Sequence, residues 1–256
     1  MPTKIPSQSD FPSHLTITIT NPPNPTSTPS PNILLLLHGL GDSAAGFTPF
    51  GRALNLPETT VLTLQAPAPL PFDLGGFHWG DDVAFDTSTG GLDMDAGLGK
   101  TASFIRDLVR DVLMQKCGYR PREILVLGFG QGGMAGLSLA RELGMSKSGN
   151  GEGDGVISEP LAGVISIGAP YPLSGPRAGQ KNRTPVFLVS GRDSRAVSEA
   201  AVKRTKEVFE FVEVSRYARK GDGMPSNRDE MLPVMQFFAS RLRSRQGVPE
   251  GSVELG

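Results

Sequence analysis

The sequence has almost no cysteine: Cys117 is the only one among 256 residues. A single cysteine excludes a disulfide within the chain and is typical of a protein from a reducing compartment. An excess of either charge is also missing, because the formal net charge is −1. Nothing electrostatic therefore favours nucleic acid or an anionic membrane as a partner.

Long apolar runs are absent as well. The N-terminal residues lack the apolar core of a signal peptide. No stretch approaches the ~20 consecutive apolar residues that a membrane-spanning helix needs. We therefore expect a soluble cytoplasmic protein without a membrane span, with the nucleus as the alternative compartment.

Histidine is scarce, and its positions restrict the chemistry. The chain has three, His14, His38 and His78, so the last two thirds of the sequence contain none. Carboxylates do gather beside His78, but their spacing matches no known cation-binding loop. We expect no metal or cofactor and interpret this cluster as polar loop and helix caps: Asp81, Asp82, Asp86, Asp93 and Asp95.

What the sequence does contain is an alternation of short apolar runs with helical spacing. The runs predict strands at 15–20, 33–37, 61–64, 124–128, 162–167, 185–190 and 211–217. Helical periodicity predicts helices at 101–116, 132–143 and 197–209 and a final one whose buried stripe comprises Met231, Leu232, Met235, Phe238 and Leu242. This order predicts an α/β protein with a mostly parallel central sheet and helices on both faces.

The same pattern predicts the domain organisation. At this length the chain fits a single large α/β domain, which we place at 15–245. The glycine-rich stretch at about 146–155 is interpreted as a flexible insertion within that domain. The ends, 1–14 and 246–256, are predicted to be disordered.

The stretch from Ile124 to Gly133 is the most informative part of the chain. An apolar strand enters a turn flanked by glycines and a helix follows, which is the context of the G-x-S-x-G nucleophile elbow. The central position is Gly130 instead of serine, so no acyl-enzyme can form there. An elbow conformation costs about 1–3 kcal/mol for a residue that has a Cβ, and glycine relieves that strain.

Four motifs in the right order resemble the phospholipase/carboxylesterase family, which includes the acyl-protein thioesterases. They are LHGLGDS at 37–43, QAP at 65–67, GFHWGD at 76–81 and GFGQGG at 128–133. The resemblance spans roughly residues 33–242. It implies the α/β-hydrolase fold and an ancestral hydrolysis of carboxylic esters or thioesters.

The resemblance also implies roles for individual residues. It places an oxyanion hole on two backbone N–H groups, those of Leu40 and Gln131, neither of which depends on a particular side chain. It suggests that Trp79 lines a groove for the acyl chain, although plain core packing is an equally good interpretation of that residue.

The remaining members of the catalytic triad are also altered. In this fold the order along the chain is nucleophile, acid, histidine. The family pattern puts the acid position at Ser194, and Asp193 is a candidate acid one residue early. Counting forward from Tyr217 puts the histidine position at Asp222, whereas counting back from the final helix puts it at Met224.

We therefore interpret the chain as a pseudo-hydrolase that binds an acyl ester, a thioester, a fatty-acid-like molecule or a protein partner. The alternative is an active or weakly active ester or thioester hydrolase that uses a non-standard catalytic group. One form of that alternative would take Ser43 as a displaced nucleophile with His38 as its base. We favour a structural role for His38 within its loop.

Overall fold

The computed structural model describes residues 3–87, 90–144 and 160–245. Within these ranges the strands are β1 (Ile17–Thr20), β2 (Asn32–Leu37), β3 (Thr59–Leu64), β4 (Ala68–Pro69), β5 (Phe77–His78), β6 (Ile124–Phe129), β7 (Gly163–Ile167), β8 (Val186–Gly191) and β9 (Val212–Tyr217). The α-helices are α1 (Ala44–Ala53), α2 (Gly99–Asp107), α3 (Gln131–Leu143), α4 (Glu199–Val208) and α5 (Arg228–Arg241). A π-helical segment, Leu108–Lys116, continues α2.

The main sheet has seven strands in the order β1-β3-β2-β6-β7-β8-β9. Only β1 runs antiparallel to its neighbour β3, and the other pairs are parallel. Strands β4 and β5 form a separate two-stranded hairpin. The prediction of a mostly parallel sheet is confirmed.

Helices cover both faces of the sheet, as the continuous apolar runs predict. In β2, Ile33, Leu35 and Leu37 belong to the apolar cluster that includes side chains of α2, α3 and α4. The alternate residues Leu34 and Leu36 belong to the opposite cluster, which includes side chains of α1 and α5. All of these β2 side chains have 0% exposure. Such a strand places the residues that follow it at the edge of the sheet where both helical layers end.

The N-terminal segment departs from the prediction of disorder over 1–14. From residue 3 onward it packs on the domain: Gln8–Asp10 forms a turn of 3-10 helix, and Phe11 and Leu15 are buried in the main core. The N–H of Lys4 donates to the carbonyl oxygen of Cys117 at 2.9 Å. The segment is ordered because Phe11 and Leu15 bury apolar surface, although most of the residues around them are polar. The predicted insertion at about 146–155 and tail at 246–256 lie outside the described residues.

The final helix also differs from its predicted stripe. Leu232 is 48% exposed, whereas Val234, Phe237 and Phe238 are buried. Successive helical residues are rotated by about 100°, so Leu232 points away from the side that Met231 shares with Val234. Within the described residues no helix combines the length and apolar character that crossing a bilayer requires.

Close backbone contacts at the start of α3 require glycine. A Cβ on Gly132 would overlap the carbonyl oxygens of Leu37 and His38, and a Cβ on Gly128 would overlap the backbone of Gly132. These glycines bring the first turn of α3 against the end of β2. The two loops that follow β2 and β6 therefore meet at one edge of the sheet.

Replacing Gly132 with alanine tests this contact. We expect Gly132→Ala to lower the free energy of unfolding by about 2 kcal/mol or more, because the methyl group must push two backbone carbonyls apart. Gly99→Ala is the matched control, since its Cβ would meet its nearest neighbour at an ordinary 3.4 Å. We expect the control to change stability by less than about 0.5 kcal/mol. Equal effects of the two variants in denaturant unfolding would contradict the close approach.

Candidate functional site

The elbow residue Gly130 links β6 to α3 in a backbone conformation that residues with a side chain rarely adopt. Its φ is 51° and its ψ is −120°. The backbone is held on both sides, because the Gly130 N–H donates to the Ile167 carbonyl at 2.8 Å and the Gly130 carbonyl accepts from Gly133 N at 2.9 Å. A Cβ built on Gly130 would lie 3.6 Å from Met94 Sδ, an ordinary contact. The elbow thus has space for a Cβ and lacks only the side chain.

Two backbone donors lie at this edge without acceptors. Among the described residues neither the N–H of Leu40 nor that of Gln131 donates a hydrogen bond. Gln131 is the first residue of α3, where backbone N–H groups lack helical partners and the helix dipole favours negative charge. The arrangement is able to receive a carbonyl or carboxylate oxygen.

The side chain of Gln131 serves a different purpose from its backbone. It is 1% exposed, its Oε1 accepts from Trp79 N at 2.7 Å and its Nε2 donates to the Met94 carbonyl at 3.1 Å. One amide therefore ties two loop segments to the elbow. This fixed position of the first residue of α3 holds its backbone donor in place.

His38 is part of the loop structure and has no free nitrogen. It is fully buried, and its Nε2 accepts from Ala66 N at 3.0 Å. The proton is therefore on Nδ1, which donates to the Gly39 carbonyl at 2.7 Å. Burial lowers the pKa of His38 and keeps the ring neutral. Ser43, the displaced nucleophile considered above, is instead the N-cap of α1, where its Oγ accepts from Gly46 N.

Trp79 lies in the core, in line with the packing interpretation of that residue. It has 0% exposure, and its indole Nε1 donates to the His38 carbonyl at 2.8 Å. A buried indole needs an acceptor for its N–H, and the end of β2 supplies one. Trp79 therefore supports the loop that carries Leu40 and does not line an accessible surface.

The acid and histidine positions of the family pattern lie side by side. The Ser194 hydroxyl donates to Asp222 Oδ2 at 2.7 Å, and Gly191 N donates to Asp222 Oδ1 at 3.2 Å. Asp222 also lies against the loop after β7, since a Cβ on Gly168, the residue after Ile167, would lie 3.0 Å from Asp222 Cβ. The hydrogen bond from Ser194 to Asp222 therefore joins the loop after β8 to the loop after β9.

The two competing candidates face elsewhere. Asp193 is exposed and accepts from Gly221 N at 2.9 Å, a hydrogen bond that lowers the pKa of its carboxyl group. Met224 packs with the apolar cluster on the α1 and α5 side of the sheet. The geometry therefore favours Ser194 and Asp222 over Asp193 and Met224 as the occupants of these positions.

Carboxylates from the acidic cluster hold the loops together. Asp81 caps α2 by accepting from Gly99 N at 3.0 Å and Lys100 N at 2.8 Å. Asp95 accepts from the backbone N–H of Leu173 and from the hydroxyl of Ser174. The described residues contain no group of three or more potential ligands that would hold a metal ion.

Met94 lies over the elbow, although no pattern in the sequence singles it out. The residue lies in a polar loop between Asp93 and Asp95 and belongs to no periodic pattern. Its neighbour in space, Gly130, is distant along the chain, so only the tertiary structure joins them.

Comparison with known proteins bears on the origin of this arrangement. A family model described as Phospholipase/Carboxylesterase matches residues 24–241. An uncharacterized hydrolase of Mycosarcoma maydis is 39% identical over 219 residues, covering 84% of this chain and 78% of the relative. Acyl-protein thioesterase 1 of Emericella nidulans is 27% identical over 194 residues, covering 68% of this chain and 74% of the relative.

A solved structure shows the same architecture. The crystal structure of esterase PE8 matches with a TM-score of 0.67 at 20% identity, covering 89% of this chain and 99% of the other. At that identity the likeness concerns the fold alone. It confirms the α/β-hydrolase fold that the sequence motifs implied.

The state of His38 provides a test of the loop geometry. Because burial lowers its pKa, we expect the ring to remain neutral and protonated at Nδ1 at pH 6.5, the ordinary value for histidine. The imidazole of the unfolded chain takes up a second proton near pH 6.5, whereas the ring in the folded protein stays neutral. The free energy of unfolding should therefore decrease as the pH falls below 6.5. Long-range ¹H–¹⁵N spectra report the tautomer directly. A ring half-protonated at pH 6.5, or protonated at Nε2 alone, would contradict the assigned hydrogen bonds.

Proposed function

The chain belongs to the phospholipase/carboxylesterase family, and we propose that within it this protein is a pseudo-hydrolase that binds an acyl ligand. The proposal combines two features of one site. The scaffold that receives an acyl group is retained, whereas the groups that would attack it are replaced.

The Ser194–Asp222 hydrogen bond is the observation that carries the proposal. A serine hydrolase passes the nucleophile's proton to an imidazole, which a carboxylate orients. We assign the position of the imidazole to Asp222, and both of its carboxylate oxygens already accept hydrogen bonds. A carboxylate has a much lower proton affinity than an imidazole. With Gly130 at the elbow there is also no hydroxyl to activate.

The retained groups suit an anionic or strongly polar ligand atom. The N–H groups of Leu40 and Gln131, which donate no hydrogen bond among the described residues, resemble an oxyanion hole, and Gly130 leaves open the position that a Cβ would occupy. A carboxylate oxygen accepts such bonds more strongly than a neutral carbonyl does. We therefore propose a fatty-acid carboxylate as the preferred ligand class, with acyl esters and thioesters as weaker ligands.

Restoring the triad tests the loss of chemistry. We expect the wild-type protein and Gly130→Ser to hydrolyse a short-chain chromogenic ester within about tenfold of each other, because a general base contributes about 10²–10⁴-fold and none is present. The triple variant with Gly130→Ser, Ser194→Asp and Asp222→His should be at least about 100-fold faster than Gly130→Ser.

The double variant Ser194→Asp, Asp222→His is the matched control for that experiment. It carries the rebuilt acid and base without a nucleophile and should remain at the wild-type rate. Wild-type turnover as fast as that of the triple variant would contradict the proposal and would favour catalysis by a non-standard group.

Ligand binding is tested separately from catalysis. We expect octanoate to shift the backbone amide signals of Leu40 and Gln131 downfield in a saturable manner, because a carboxylate oxygen would accept from both N–H groups. Octanol of the same chain length is the control and should leave these two signals in place. Saturation with octanoate that shifts neither amide would contradict a carboxylate site at the elbow.

A further inference from the structure

Met94 takes up the space directly above the vacated nucleophile position. Its Sδ lies 3.6 Å from the point where the Cβ of residue 130 would be, and within the described part of the chain it is the only atom within 4 Å of that point apart from the glycine and its chain neighbours. The side chain is half-buried and packs against the main apolar cluster. A ligand atom bound above Gly130 must therefore share this volume with a thioether.

The segment that carries Met94 is fastened at two points. On one side the Met94 carbonyl accepts from Gln131 Nε2 at 3.1 Å, which ties it to the elbow itself. On the other side the Asp95 carboxylate accepts from Leu173 N and from the N–H and hydroxyl of Ser174, which ties it to the loop after β7. The backbone of Met94 is therefore held from both directions and is not free to swing aside, so its side chain stays over the elbow and restricts the site by its volume.

This geometry distinguishes ligands by the shape of their polar end. A carboxylate is planar and places its two oxygens at one edge of the carbon. When one oxygen accepts from both Leu40 and Gln131, a carboxylate has one further oxygen to place, in the same plane. A tetrahedral group such as a sulfonate has two further oxygens, and because both cannot lie in that plane, at least one is directed out of it toward the wall of the site. In the space above Gly130, that wall is Met94.

From these contacts, and resting on the proposed function, we infer that Met94 determines the specificity of the acyl site by admitting planar carboxylates and excluding tetrahedral anions. The segment would thus convert a site that served tetrahedral intermediates into one for a flat ligand. Met94 acts by contact with the ligand, whereas Asp95 acts by positioning Met94.

Octanoate and heptanesulfonate form a suitable ligand pair, because both carry a heptyl chain and one negative charge and differ in the headgroup. We expect the wild-type protein to bind octanoate at least about tenfold more tightly than heptanesulfonate, since Met94 adds an overpacking penalty for the tetrahedral headgroup. Met94→Ala should reduce this ratio to about twofold or less while changing the affinity for octanoate less than about threefold.

Two further variants separate volume from other effects. Met94→Leu retains a side chain of similar size and should keep the wild-type ratio. Asp95→Asn weakens the attachment to Leu173 and Ser174 and should give an intermediate ratio, with the amide signal of Ser174 as the report on the attachment. Titration calorimetry gives the affinities, and the amide signals of Leu40 and Gln131 confirm where each ligand binds.

The outcomes separate this inference from the proposed function. If octanoate binds at the elbow and Met94→Ala leaves the ratio between the two ligands unchanged, the role of Met94 is refuted and the carboxylate site stands. If neither ligand shifts the amide signals of Leu40 and Gln131 in the wild-type protein or in Met94→Ala, the site itself is refuted, and the specificity assigned to Met94 falls with it.

Discussion

The site depends on the close approach between the first turn of α3 and the carboxyl end of β2. Glycine at 132 permits it, because any larger residue would overlap the carbonyl oxygens of Leu37 and His38. Because these two segments are in contact, the N–H of Gln131 and the loop carrying Leu40 lie at the same edge of the sheet. Buried hydrogen bonds from Trp79 to His38 and to Gln131 then hold the loops in place. The polar groups of the site are thus positioned by backbone contacts that need no catalytic side chain.

This constraint explains how such a fold keeps its shape with glycine at the elbow. The strained turn that presents a nucleophile is costly only for a residue with a Cβ, and glycine at 130 removes that cost. The hydrogen bond from Ser194 to Asp222 similarly gives partners to the polar side chains of the loops that would carry the acid and the histidine. Among the described residues the backbone N–H groups of Leu40 and Gln131 donate no hydrogen bond, and groups of this kind form the oxyanion holes of acyl-transfer enzymes.

Much of this arrangement was predictable from the sequence, because it depends on local patterns. Apolar runs such as Ile33–Leu37 are long enough and continuous enough to identify strands covered on both faces. The glycines around position 130 identify the elbow, and the absence of histidine after His78 is visible by inspection. Counting forward from Tyr217 leads to Asp222, whereas counting back from the final helix leads to Met224.

The remainder depends on contacts between residues far apart in sequence. Whether Trp79 faces a groove or the core is decided by the position of the His38 carbonyl, which no local pattern reveals. The N-terminal segment is ordered by the burial of Phe11 against the domain, although its composition is that of a disordered segment. Met94 reaches Gly130 only because Gln131 and the loop after β7 fasten its segment across the elbow.

The central claim is that no side chain at this site becomes acylated, and intact-protein mass spectrometry tests it most directly. After incubation with an excess of octanoyl thioester and rapid acid quenching, the account predicts that the protein keeps its unmodified mass. An octanoyl adduct that peptide mapping places on a side chain beside Gly130 would contradict it.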